Sequence, residues 1–129
     1  MSFQNIIIIG LGLIGGSIAK ACKKKHSSIK IFAFDKNSQS LQFALKNNII
    51  DDEFNFSQKI PTKSLIIVAS PLKTYNEIFT KLKPIIIDDT IIIDVGSVKE
   101  KPTEIADKAL GKKADQFIPC HPIAGSEKS

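Results

Sequence analysis

The chain contains no arginine, so its net charge of +5 comes from 18 lysines set against 13 acidic residues. Without a guanidinium fork there is no bidentate reader of base edges, and the aromatics are not interleaved with the lysines. The charge therefore reads as a solvated lysine surface, and no nucleic-acid partner is expected. Cysteine is also scarce. Cys22 and Cys120 do not make a disulfide framework, and both read as reduced thiols of a cytoplasmic protein. Cys120 adjoins His121, but neighbours in an extended segment point to opposite faces, which argues against a thiolate–imidazole pair. No basic stretch precedes the first apolar run, so no secretory signal is expected. Residues 6–22 are apolar but short for a bilayer, and glycines, Ser17 and Lys20 interrupt them. Neither membrane contact nor a metal site is expected.

What the chain does have is isoleucine, in runs at Ile6 to Ile9, Ile85 to Ile87 and Ile91 to Ile93. β-Branched runs of this kind suit strands buried on both faces, as in parallel sheets. At 129 residues and 43% hydrophobic content the chain is one domain with a real core. The pattern predicts strands at Phe3–Ile9, Ile29–Phe34, a short one starting at Ile49-Ile50, Ser64–Ala69, Ile91–Val95 and Gln116–Pro119. Helices are predicted at Leu13–Lys25, Ser38–Lys46, Pro71 to about Leu82, and Thr103–Leu110 with Gly111 as its stop. Asp51 to Lys63 reads as a loop or broken helix. Alternating strands and helices predict an α/β fold, a doubly wound parallel sheet of six or so strands.

Gly10-Leu11-Gly12-Leu13-Ile14-Gly15 fits G-x-G-x-x-G and sits between a predicted strand and a predicted helix, the context that gives the motif meaning. Gly10 permits the turn, Gly12 lets a pyrophosphate approach, and Gly15 lets the helix lie close to the strand; Gly16 and Ser17 extend the small-residue face. The helix N-terminus would meet the phosphates. Asp35 ends the second strand, 20 residues after Gly15, where a carboxylate accepts hydrogen bonds from the adenosine ribose and repels a 2′-phosphate. NAD is thus the expected cofactor over NADP, with the adjacent Lys36 softening the preference. Ser70 and Pro71, at the end of the fourth strand, are expected beside the cofactor. Together these features predict a Rossmann dinucleotide-binding fold.

Two residues beyond the glycine turn are candidates for chemistry. Ser97 has two readings: with Glu100 it makes a capping box, whereas Pro102 favours a later helix start that leaves Ser97 in a loop. His121 follows a crevice-facing strand in a loop with Pro122 and Gly125, and histidine is suited to take a proton from a hydroxyl during hydride loss. Residues 10–17, Asp94-Val-Gly-Ser-Val-Lys99 and His121-Pro-Ile-Ala-Gly-Ser-Glu127 together resemble the prephenate dehydrogenase family of tyrosine biosynthesis. The resemblance implies NAD-dependent oxidative decarboxylation of prephenate to 4-hydroxyphenylpyruvate; some relatives use arogenate, and some NADP. It assigns His121 to the ring hydroxyl of the substrate and Ser97 to contact with both. It also implies a helical C-terminal domain that forms a homodimer and supplies arginine to the substrate carboxylates. This chain has no such domain, so it is expected to be the NAD-binding part of a longer enzyme, inactive alone. The rival readings are another NAD-dependent hydroxyacid-type dehydrogenase and a stand-alone dinucleotide-sensing module.

Overall fold

A computed structural model describes residues 2–95 and 102–119; Ser97, Cys120 and His121 lie outside the described residues. Six strands form one sheet: β1 (Asn5–Ile9), β2 (Lys30–Phe34), β3 (Asp52–Glu53), β4 (Ser64–Val68), β5 (Ile91–Asp94) and β6 (Phe117–Pro119). Their order is β3-β2-β1-β4-β5-β6 and every pairing is parallel. The helices are α1 (Leu13–Lys25), α2 (Ser38–Lys46), α3 (Tyr75–Leu82) and α4 (Pro102–Leu110). This is the expected doubly wound fold.

Strand alternation divides the isoleucines between two cores. Ile7 and Ile9 join Ile66, Val68 and Ile92 in a core with α3 and α4. Ile6 and Ile8 join Ile31, Ala33 and Ile67 in a core with α1 and α2. The period-2 pattern is what puts both sets out of water from one continuous apolar run.

α1 and α2 have the predicted bounds. The Asn37 side chain caps α2 by accepting from the Gln39 and Ser40 N–H groups, at 2.8 and 3.3 Å. Three expectations need correction. Ile49 and Ile50 do not start the third strand: both their N–H groups donate to the Ala44 carbonyl, closing α2, and the ladder begins at Asp52. The Ile85 to Ile87 run is buried at Ile85 and Ile86 but is not a strand. Its backbone is satisfied outside the sheet ladder instead. Ile85 and Ile86 donate to the Leu82 carbonyl, while Lys113 Nζ reaches the Ile86 carbonyl and Gln116 Nε2 the Ile87 carbonyl. Pro71 does not open α3 either: it is extended (φ −61°, ψ 149°), and a 3-10 turn at Leu72–Thr74 intervenes. Thr74 drives that turn, since both its N–H and its hydroxyl donate to the Pro71 carbonyl.

Candidate functional site

The sheet order reverses between β1 and β4, so a crevice opens where their carboxyl ends part, the place where open α/β sheets take ligands. Gly10 leaves β1 with φ +107°, and a Cβ there would sit 3.0 Å from the backbone of Ala69 and Ser70. Only a glycine threads that gap without strain. On α1 the approach is closer: a Cβ at Gly15 would stand 1.9 Å from the Gly10 carbonyl oxygen. Gly15 thus holds the helix against the turn. Gly12 differs, because a Cβ there would meet nothing within 4 Å. It is the N-cap of α1, with no side-chain cap and no acidic residue in the first turn. The helix N-terminus is left for an anion to neutralise.

Asp35 follows β2, and its carboxylate ties two loops together. Oδ2 accepts the Leu11 N–H at 2.6 Å and Oδ1 accepts the Asn37 N–H at 2.8 Å. Each oxygen thereby uses one of its two lone-pair directions and keeps another for a ligand hydroxyl.

A cleft of about 280 Å³ runs along these strand ends. It brings together Gly10, Gly12, Asp35, Ser70 and Pro71 from the predicted set. Leu13 (89% exposed) instead lines a second depression between α1 and α2, and Ile14 (52% exposed) lines neither. Ser70 Oγ is 2.8 Å from Thr74 Oγ1, which steadies the corner after β4.

The far wall of the cleft was missed in the sequence. It is made by Phe34 and Phe56 together with Thr74, Glu77, Ile78 and Lys81. The last four share an i, i+3, i+4, i+7 spacing, which could have flagged one face of α3. Phe56 carries no such signal, because it lies in the loop before β4. Its ring packs edge-to-face on Phe34 and Phe54, with centroids 5.1 Å apart in each case, and Lys81 Nζ lies 5.6 Å from its centroid. Glu77 bonds Lys81 at 3.1 Å and faces Lys36 at 3.9 Å. The Lys81 hydrogen bond and charge, and then the Lys36 charge, hold its carboxyl below the ordinary range.

Deeper in, the Tyr75 hydroxyl donates to Asp94 Oδ2 at 2.8 Å, and both residues are buried. This fastens the start of α3 to the carboxyl end of β5. Asp94 pairs in register with Pro119 of β6, so the chain leaves both strands at the same sheet edge, ahead of residues 97 and 121. Cys22 is half-buried and burial pushes its thiol up, the opposite of an activated thiol. Among the described residues, no group of metal-ligating side chains occurs and no helix is long and apolar enough to cross a membrane.

Comparison with known proteins places the chain in a family. Prephenate dehydrogenase of Bacillus subtilis is 38% identical over 128 residues, covering 98% of this chain and 34% of that protein. The Lactococcus lactis prephenate dehydrogenase is 35% identical, covering 98% of this chain and 36% of the other. The chain thus spans about a third of the length of these curated relatives. Among solved structures, prephenate dehydrogenase from A. aeolicus, in complex with hydroxyphenyl propionate and NAD+, superposes with a TM-score of 0.81. It is 35% identical, with 97% of this chain and 43% of that one covered. Residues 18–129 match the family model described as prephenate dehydrogenase, nucleotide-binding domain, and the chain belongs to that family.

Proposed function

We propose that this domain binds NAD across the crevice between β1 and β4 and serves as the cofactor-binding part of a prephenate dehydrogenase. The observation that carries this is the Gly10–Gly15 contact at the switch point, with Asp35 bonded to the same turn. The residues fit a dinucleotide. The open space at Gly12 leaves room for phosphates at the start of α1. Asp35 has acceptor capacity for ribose hydroxyls, and the cleft behind it has an apolar wall suited to a purine. When bound, NAD would supply the hydride acceptor.

The chain's own part in the reaction then follows from the motifs. His121 takes the proton of the substrate's ring hydroxyl as hydride leaves the carbon that bears it, and Ser97 contacts that histidine and the same hydroxyl. A base on the oxygen is what hydride removal from a secondary alcohol requires. Loss of carbon dioxide restores aromaticity, so no strong protein acid is needed. The substrate carboxylates need guanidinium partners that this arginine-free chain does not contain. Those, and the homodimer contacts, are assigned to a helical C-terminal domain of the longer enzyme.

Calorimetric titration of the 129-residue chain with NAD and NADP tests the reading. NAD is expected to bind at least about 10-fold tighter, the scale of one charge-assisted hydrogen bond. Equal affinities would count against Asp35, and no binding of either would overturn the cofactor site. In the longer enzyme, His121→Asn is expected to lower kcat by about 10²–10⁴ with prephenate as substrate.

A further inference from the structure

The mouth of the cleft carries four charges that alternate in sign across its two walls. Asp35 and Lys36 stand on the β2 side; Glu77 and Lys81 stand on α3. Lys36 follows directly on the carboxylate expected to face the ribose. It is therefore placed to attract a 2′-phosphate, which carries about −1.5 to −2 charge and would reward any unengaged cation nearby. Lys36 is not unengaged. Glu77 Oε1 lies 3.9 Å from its Nζ across the cleft, and Glu77 is itself fixed from behind by Lys81 at 3.1 Å, one helical turn away. Lys81 is in turn engaged by Glu77 and the Phe56 ring.

We propose that Glu77 is a second determinant of NAD over NADP selectivity, acting as a positioning residue that draws the Lys36 ammonium to α3 and cancels its charge. This rests on NAD occupying the cleft. Asp35 repels the 2′-phosphate, and Glu77 withholds the cation that would compensate for that repulsion. Removing Glu77 changes the sum over the four groups from zero to +1 and leaves Asp35 intact. The pair is exposed, with the side chains of Lys36 and Glu77 retaining 73% and 52% of their accessibility, so the effect is modest and greatest at low salt.

The experiment is a set of calorimetric titrations with NAD and NADP at low ionic strength on the 129-residue chain. It compares the parent, Glu77→Gln, Lys36→Met and the double variant. Glu77→Gln is expected to tighten NADP by about 3- to 10-fold while NAD changes by less than about 2-fold. The double variant is expected to lose that gain. A purely structural role for Glu77 would move both cofactors together and leave their ratio fixed, which overturns the proposal. So does a gain that survives in the double variant, since the released cation would then be Lys81. Failure of the parent to bind NAD would instead strike the cofactor site itself, so the two failures are distinguishable. All the substituted side chains are exposed, and thermal melts of each variant verify that the fold is retained.

Discussion

The two faces of the sheet are built to different specifications. The face under α3 and α4 buries Phe54, Tyr75, Phe79 and Phe117, with Tyr75–Phe79 and Phe79–Phe117 in edge-to-face contact at 5.7 and 5.1 Å. The face under α1 and α2 buries no aromatic residue among those described; its smallest members are Ala19, Ala33 and Ala44. One face is thick and the other thin, although the same strands serve both. The difference follows from what each has to hold. α1 must lie close enough to β1 for its N-terminus to stand over the glycine turn, so its inner side is Gly15 and then Ala19, fully buried. α3 and α4 carry no such constraint and take large rings, which bring most buried area per residue. The thick face also extends to the cleft, where Phe34 and Phe56 pack against it and form the wall.

The contrast can be broken most forcefully on the thick side. Phe79→Ala is expected to cost about 3–5 kcal/mol in a denaturant titration, because the ring is fully buried between two aromatic neighbours. On the thin side the sensitivity is reversed: adding one methyl at Gly15 is expected to cost about 1–3 kcal/mol, by pushing α1 off the Gly10 carbonyl. The same variant should weaken NAD in calorimetry. A Gly15→Ala protein as stable as the parent would show that α1 has slack and that the thin face is not set by close approach.

A smaller effect sits at the rim of the thin face, where Lys23 of α1 pairs with Asp51, which also accepts the Ile31 N–H at 2.8 Å. Burial alone would raise the Asp51 carboxyl, but the Lys23 contact, the Ile31 N–H and the Lys30 charge together hold it below its usual value. A depressed carboxyl stabilises the fold above the unfolded value, about pH 4, and loses that contribution as pH falls through the folded one. Asp51→Asn is therefore expected to cost about 0.5–1 kcal/mol at pH 7, and the gap should close as pH falls through the depressed folded value. A gap independent of pH would assign the loss to packing. The smallest stability change is expected at Gly12→Ala, near zero in a melt because the added methyl meets nothing. Its readout is instead weakened NAD binding. Loss of stability without loss of binding would invert the distinction between Gly12 and Gly15.

Sequence pattern made α1 and α2 legible, because helical periodicity and the turn residues agree there, and the structure adds the Asn37 cap that fixes where α2 starts. Isoleucine content was less informative. Apolar β-branched residues also fill the loops after α2 and α3, where Ile49, Ile50, Ile85 and Ile86 are buried without being strands. Their N–H groups turn back onto Ala44 and Leu82 at the helix ends, and the carbonyls of Ile86 and Ile87 meet the side chains of Lys113 and Gln116, whose tertiary placement no local pattern encodes. The near side of the cleft was readable because Gly10, Gly12 and Asp35 occupy a spacing that the chemistry demands. The far side was not, because Phe56 and the Glu77 face meet it only once β2 and β4 have both paired with β1. Ser97 and His121 lie outside the described residues and rest on their motifs alone.

The bond from Leu11 N–H to Asp35 has a consequence for redesign. One carboxylate is both the proposed reader of the ribose and a strut of the glycine turn. Converting such a domain to the phosphorylated cofactor by replacing that residue alone would remove the strut with the reader, and so forfeit grip on either dinucleotide. The proposed route to a changed preference runs around the rim, through exposed side chains that do not brace the glycine turn.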